Sequence, residues 1–552
     1  VVATAEPAAN LAGYDRPNLG TAYVAPTGEV ERGLSEIWQE LLGVRQVGVH
    51  DNFFELGGHS LLATQIVARV QKSFGVDLPL RAFTETPTPG ELAQAIRALQ
   101  GEGQSAPSIT ESVELIPDPD HRGVPFGLTD VQEAYWIGRS QVFQLGNVAT
   151  HIYTEQDVDE LDLDRYEATW QMLVDRHDMM RAIFLPDGRQ QVLLDVPPFT
   201  IERIDLSDLD PEEQQRRLLE LRGEMSHQVR PVDQWPIYEI RASVLGGGRH
   251  RLHVSFDFLI FDAWSFEIVA KEQALLYENL DAELPAIDLT FRDYVLAEEQ
   301  LRQTEVFRRA RQYWLDRIET MPPAPELPLA RNPTEVTNPH FVGRNGVLPR
   351  SKWSLLKQRA ERRGLTGTAF LAAVFSEVLA TWCKTPRFTL NLTLFNRLPL
   401  HPHVDRILGD FSSLSLLGVE HQWGDTFEER AHRLQVQLWD DLDNRIFSGV
   451  RVMRELARDR GSLAHAMMPV VFTSTLGLVQ QQQAQKPADE VEAIEDEPVD
   501  LDELGFRISQ TPQVWIDHQV TELDGDLTIY WDAVEQLFDP GVLDAMFAAN
   551  LA

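Results

Sequence analysis

Two aspartates and a serine in the pattern Asp257-x-x-x-x-Asp262-x-x-Ser265 are placed to do acid–base or binding chemistry. The seven residues from Arg251 to Asp257 alternate: Leu252, Val254 and Phe256 share one face, while Arg251, His253, Ser255 and Asp257 share the other. That period of two predicts a half-buried strand. Phe266, Val269 and Ala270 then recur at helical spacing over roughly 263–277, so Asp257 falls at a strand end and Asp262 at a helix start. Carboxylates so placed often line a cleft. Asp262 also reads as an N-cap accepting backbone N–H bonds, and Asp257 as a polar strand terminus. Two later stretches, Pro469 to Thr475 and Ser509 to Gln519, read as strand termini crowded with hydroxyls, amides and one acid: Thr473, Thr475, Gln513 and Asp517. A third strand, Phe388 to Phe395, delivers Asn396 at its end. Thr368 to Trp382, nearly all apolar, is long enough for a buried helix. His177 in Arg176-His-Asp178 can act as a base, although such a pair more often fixes a helix end.

The whole chain has 552 residues, too many for one ordinary core, so two or three domains are expected. Its net charge, 49 − 85 = −36, leaves no basic patch for nucleic acid or an anionic membrane surface. No apolar run approaches the roughly 18 residues of a membrane helix, and no secretory signal is visible. Cys383 is the single cysteine, ending an apolar helix; core packing is expected of it, and a reducing, cytoplasmic setting fits. No His/Cys/Asp cluster has metal-ligand spacing, so no metal is expected.

Residues 1–26 read as a linker. Residues 27–100 read as a small helical unit, with Leu34, Ile37, Trp38, Leu41 and Leu42 on one helix face and a capping box at Thr88-Pro-Gly-Glu91. Between them Asp51-Asn-Phe-Phe-Glu-Leu-Gly57-Gly58-His59-Ser60-Leu61-Leu62 turns on two glycines and sets Ser60 at a helix N-terminus, where it also reads as a plain N-cap. Residues 101–123 are a Pro/Gly/acidic linker, and 124–552 the large domain. Val479 to Glu503 combines a glutamine run with nine acidic residues and one lysine, the composition of a solvated or disordered loop.

The Ser60 stretch resembles the attachment motif of peptidyl carrier proteins, and Tyr14 to Pro26 resembles the tail of an adenylation domain. That resemblance implies a four-helix bundle with 4′-phosphopantetheine on Ser60, installed by a phosphopantetheinyl transferase. A helix N-terminus suits the phosphate. Asp257 to Ser265 matches the DxxxxDxxS signature of heterocyclization domains in nonribosomal peptide synthetases, relatives of condensation domains whose motif is HHxxxDG. Asp257 and Phe258 occupy the two histidine positions. Further motifs follow in family order: Phe126 to Arg139, Trp235 to Tyr238, Gly409-Asp-Phe-Ser412-Ser-Leu414, Pro469 to Thr475 and Ser509 to Gln519.

The implied architecture is α+β and multidomain, the carrier bundle preceding a two-lobed chloramphenicol-acetyltransferase-like domain with lobes of about 124–295 and 296–552. The implied reaction joins a carrier-bound donor to a carrier-bound Cys, Ser or Thr, then cyclodehydrates the amide to a thiazoline or oxazoline. Implied roles are proton transfer for Asp517, orientation of water or the departing hydroxyl for Thr473 with Thr475 as alternative, and oxyanion support for Asn396. Asp257, Ser265 and Gln513 are expected along the substrate tunnel, and Asp262 is expected to brace it, paired with a buried arginine. Expected partners are an upstream adenylation domain and a loaded downstream acceptor carrier. The rival readings are an amide-only condensation domain, disfavoured by the missing second histidine, and a non-catalytic docking scaffold.

Overall fold

A computed structural model describes residues 15–17, 19–101, 109–140, 144–462, 464–476 and 505–552, except the side chains of 60, 61, 110 and 111. The acidic stretch 480–503 lies outside the described residues, as does most of the first linker. The carrier unit is built of α1 (Glu29–Leu42), α2 (Ser60–Phe74), the short α3 (Ala82–Glu85) and α4 (Pro89–Gly101). Its core is aromatic: Trp38, Phe53 and Phe83 are fully buried and in mutual ring contact. Rings of this size bury about 150–250 Å² each, and Leu34, Ile66, Leu92 and Ile96 complete the core around them.

The large domain has two sheets. Strands β1 (His151–Asp159), β4 (Glu202–Asp205), β5 (Tyr238–Gly246), β6 (Arg249–Asp257) and β11 (Arg507–Gln510) form the first, in the order β11-β1-β6-β5-β4. The second runs β7-β13-β12-β10-β8-β9, from β7 (Phe341–Leu348), β8 (Arg387–Phe395), β9 (Ser412–Glu420), β10 (Val470–Ser474), β12 (Ile516–Leu523) and β13 (Asp526–Val534). A two-stranded ribbon pairs β2 (Ala182–Phe184) with β3 (Gln190–Val192).

Three expectations need correction. Numbered with the second lobe, β11 lies in the first lobe's sheet, pairing antiparallel with the outer edge of β1 and so satisfying backbone groups that would otherwise be exposed. β6 is buried on both faces rather than one, because it is central in its sheet and the helix Pro211–Ser226 packs across it and β1. His253 on the second face is fully buried between Tyr153 and Ser243, and burial pushes its pKa down to about 4, so it is neutral. Cys383 is half-buried at its helix end rather than in the core, with burial pushing its thiol up to about 12. Among the described residues no helix is long and apolar enough to cross a membrane.

The carrier sits against the helix Phe427–Asp443 of the second lobe. Trp439 is buried between Phe54 and Phe83 of the carrier, with ring centroids 6.1 and 6.0 Å away. The Leu80 N–H donates to both Asp443 carboxylate oxygens at 3.0 and 3.2 Å. Each ring pair is worth about 0.5–1.5 kcal/mol beyond its buried area. Trp439→Ala is therefore expected to release the carrier to tumble independently while both units stay folded, measured as sharpened carrier amide resonances.

Candidate active site

The site is a property of sheet register. Across the second sheet Asn391, Val471, Asp517, Asp532 and Gly343 are successive partners, and the row two residues on holds Thr393, Thr473, Gln519, Tyr530 and Asn345. Residues opposite one another or two apart share a face. Asn391, Val471, Asp517, Thr393, Thr473 and Gln519 accordingly line one cavity of about 230 Å³. Asp262 and Phe266 of the first lobe close it from across, together with Arg507 and Ser509 of β11.

Asp517 is the acid of this cavity. Its residue is 8% exposed, and burial raises its carboxyl to about 6, held from going further by hydrogen bonds from Gln519 and Thr473 and by the Arg507 charge. Gln519 Nε2 donates to Asp517 Oδ2 at 2.6 Å. Thr473 Oγ1 lies 3.4 Å from Asp517 Oδ1 and 3.0 Å from Thr393 Oγ1. Arg507 donates to Gln519 Oε1 and lies over the Tyr530 ring. A carboxyl near 6 exchanges protons in either direction close to neutral pH, as a general acid–base requires. The neighbouring His518 points the other way, among Phe375, Phe472 and Trp531, where burial takes its pKa to about 3.

Thr475 and Gln513 also line the cavity. Thr475 Oγ1 donates to the Val520 carbonyl at 3.3 Å. Gln513 holds a φ of 66°, a left-handed conformation costing an ordinary residue of order 1–3 kcal/mol and typical of sites where a loop is forced against a ligand.

Asp257 does not line this cavity: its Oδ2 accepts from Arg139 Nη1 at 2.5 Å and its Oδ1 from the Leu259 N–H. Asp262 lines it, yet its Oδ1 caps the helix at Ser265 N and pairs with Arg397 Nη2 at 2.8 Å. Ser265 is fully buried and bridges Asp262 to the Gly409 backbone. Asn396 sits on the far side of β8, where its Oδ1 accepts from Arg445 Nε at 3.1 Å. His177 is buried against Glu272 at 2.7 Å, an ion-pair position remote from the cavity.

Asn396 and Arg445 line a second cavity, of about 120 Å³, whose walls include Thr393 and Phe395, shared with the first, and Thr64 of the carrier helix α2. A third, about 380 Å³, opens between α2 and the large domain and shares Thr64 and Arg445. The three spaces share wall residues: Thr64 and Arg445 between the third and the second, Thr393 and Phe395 between the second and the first. Ser60 opens the 15-residue α2, one turn before Thr64; its side chain is outside the described residues. Gly57 takes φ 86°, and a Cβ on Gly58 would lie 2.5 Å from the Phe53 carbonyl, so the turn preceding Ser60 demands glycine at both positions. A helix N-terminus favours the negative charge of a phosphodiester, so Ser60, as the first residue of α2, fits a phosphopantetheine arm; His59 caps the same turn, its Nδ1 accepting from Leu62 N.

Among the residues sequence reading missed are Gln519, Arg507, Thr393 and Arg445. The period-two spacings Asp517-x-Gln519 and Thr473-x-Thr475 were the signal for a polar sheet face; nothing local marks Arg507 or Arg445.

Comparison with known proteins agrees with this geometry. The condensation-domain family model matches residues 127–548, and the phosphopantetheine attachment site model matches residues 32–96. Bacitracin synthase 1 of Bacillus licheniformis is 36% identical over 96% of this chain and 10% of its own length. Phenyloxazoline synthase MbtB of Mycolicibacterium paratuberculosis is 36% identical over 93% of this chain and 42% of its own. The chain thus spans less than half the length of these curated relatives. The EpoB cyclization-docking bidomain from Sorangium cellulosum, a solved nonribosomal peptide synthetase structure, is 36% identical with a TM-score of 0.72, covering 88% of this chain and 91% of that one. A matched model spanning most of the sequence, on two lobes enclosing a polar sheet face, makes this chain a member of the condensation-domain family, preceded by a phosphopantetheine-attachment carrier domain.

Proposed function

We propose that the chain is the carrier and heterocyclization part of a cytoplasmic nonribosomal peptide synthetase, with a carrier unit at 27–100, a linker at 101–123 and a cyclizing domain at 124–552. The supporting observation is the buried carboxyl of Asp517, bracketed by Thr473 and Gln519 on one sheet face, in a cavity that shares Thr393 and Phe395 with a second one lined by Thr64 of the carrier. Relatives named for oxazoline formation and for cyclization support the same reading.

Attached to Ser60, the 4′-phosphopantetheine arm supplies a terminal thiol that holds the donor acyl group. The carrier's place against Trp439 and Asp443 holds that donor near the catalytic domain; such tethering is worth roughly 7–11 kcal/mol of barrier when geometry is good. The amine of a carrier-bound Cys, Ser or Thr attacks the donor thioester carbonyl, forming the amide C–N bond as the C–S bond breaks and the donor is released from the arm thiol. Its side-chain thiol or hydroxyl then adds to the new amide carbonyl. Asp517 gives its proton to the departing hydroxyl as the C–O bond breaks and recovers one from the amide nitrogen as C=N forms, releasing water. Thr473 orients the hydroxyl, Gln513 and Thr475 shape the cavity, and Asn396 faces the donor side. Partners are a phosphopantetheinyl transferase, an adenylation domain and a downstream acceptor carrier.

Mass spectrometry of the acceptor-bound product tests this. A product one water lighter than the amide is expected with a Cys-, Ser- or Thr-loaded acceptor. Amide alone, with both arms verified as loaded, would overturn the cyclization reading. Ser60→Ala is expected to take up no arm mass on treatment with phosphopantetheinyl transferase and coenzyme A. Thr473→Val, losing one hydroxyl worth about 0.5–1.5 kcal/mol, is expected to slow ring formation roughly two- to ten-fold, read as amide accumulating ahead of ring.

A further inference from the structure

Asp532 has no place in the reaction so far, yet it lies directly opposite Asp517 in the antiparallel pairing of β12 with β13. Side chains directly opposite share a face with Cβ atoms about 4.5–5.5 Å apart, and like charges there repel. Both residues are buried, at 8% and 1% exposure. Asp532 is set back from the cavity toward β7, where Gly343 opposes it; a Cβ on residue 343 would come to 3.2 Å from Asp532 Oδ1. Asp532 Oδ2 accepts from Ser509 N at 3.0 Å and lies 3.8 Å from Arg507 Nη1. Arg507 also donates to Gln519, which donates to Asp517. One guanidinium charge thereby faces both carboxyl groups, Asp532 across 3.8 Å and Asp517 through Gln519. The other ionisable groups facing them are Tyr530, beside Asp532, and Tyr135, opposite Asp517 from the first lobe, both phenols held neutral by burial, and Asp262, which closes the same cavity paired with Arg397.

With both acids ionised this buried group carries one net negative charge; with one proton it is neutral. Burial lifts Asp532 to about 7 and Asp517 to about 6, the Asp517 charge adding to the lift on Asp532. Two such groups titrate as a pair.

We propose that Asp532 is a positioning residue that shares a single proton with Asp517 across the β12–β13 pair, under the common charge of Arg507, and so keeps Asp517 able to act as the acid that releases water. The inference rests on Asp517 as the proton donor. No proton is consumed: the one leaving Asp517 for the hydroxyl is replaced from the amide nitrogen, and Asp532 sets only how firmly Asp517 holds it.

The test is the ratio of ring to uncyclized amide as a function of pH, for wild type, Asp532→Asn and Arg507→Gln, alongside Asp517→Asn. An acid that must be protonated gives a rate that falls as pH rises through its pKa. Asp532→Asn removes an anionic neighbour, so that falling limb is expected to move down by roughly one pH unit, costing about ten-fold in ring formation above neutrality with recovery in more acid buffer. Arg507→Gln removes the cation, and the limb is expected to move up. A merely structural role would lower the rate without moving the limb. Asp532→Asn keeps an acceptor for Ser509 N and relieves a like-charge contact, so folding is expected to survive; should it not, the upward shift in Arg507→Gln alone decides. Limbs that stay put in the variants that fold, while Asp517→Asn abolishes cyclization, overturn this proposal and leave the wider reading standing. Cyclization undiminished in Asp517→Asn overturns both.

Discussion

Asp517→Asn is expected to stop the chain at the amide: the condensed product accumulates on the acceptor arm, while ring formation falls by ~10²–10⁴. Asparagine has the same shape and still offers an oxygen to Gln519 Nε2, but it cannot deliver a proton to a departing hydroxyl. Amide formation has no such need, because a free amine and an activated carbonyl, brought together on tethered arms, face a barrier already lowered by proximity. Time-resolved intact mass of the acceptor arm separates the steps. Equal loss of amide and ring would remove Asp517 from the second stage. Stability moves the opposite way. A carboxyl raised from 3.8 to about 6 binds its proton more tightly folded than unfolded. Wild type therefore loses stability as pH climbs through that window and gains it as pH falls. Asparagine does not titrate, so Asp517→Asn is expected to be more stable than wild type above pH about 6, by up to about 3 kcal/mol. An inactive yet more stable variant at neutral pH cannot be dismissed as misfolded.

Residues carried by a short-range pattern were legible in the sequence, and residues carried by register were not. Alternation from Phe388 to Phe395 gave β8 nearly to its ends, and the apolar run after Thr368 gave the helix Gly367–Trp382. At Thr88 the cap half of the expected box forms, Glu91 N donating to Thr88 Oγ1. Asp517 and Thr473, 44 residues apart, meet because β10 and β12 run parallel and adjacent, and no local spacing encodes that. Arg507 joins them from a strand of the other sheet. The sequence likewise placed Asp257 correctly at a strand end, but its availability was decided by Arg139, 118 residues earlier in the chain. Charge pairing over such distances leaves no periodic trace.

The same long-range pairing makes Asp262 the most costly residue to lose. Its Oδ1 is held at once by Ser265 N, Ser265 Oγ and Arg397 Nη2, at 2.7, 2.6 and 2.8 Å. Arg397 follows β8 in the second lobe, stacks on Phe411 at 3.9 Å and donates to the Val404 and Ile407 carbonyls. The pair thus clasps the helix after β6 to the loops after β8, with side chains 0% and 6% exposed. Asp262→Ala removes the helix cap and takes from the buried Arg397 guanidinium its direct carboxylate partner. Breaking one side of a buried pair costs about 3–5 kcal/mol, a large share of what holds a typical domain folded. A fall of that size in urea unfolding is expected, with amide and ring formation declining together rather than parting as in Asp517→Asn. Asp262→Asn keeps an acceptor for Ser265 N and should lose less. Replacing both partners by apolar residues, Asp262→Leu with Arg397→Met, should regain part of the loss, because no charge is then left buried. If Asp262→Ala unfolds like wild type yet forms amide without ring, Asp262 takes part in the chemistry and the clasp lies elsewhere.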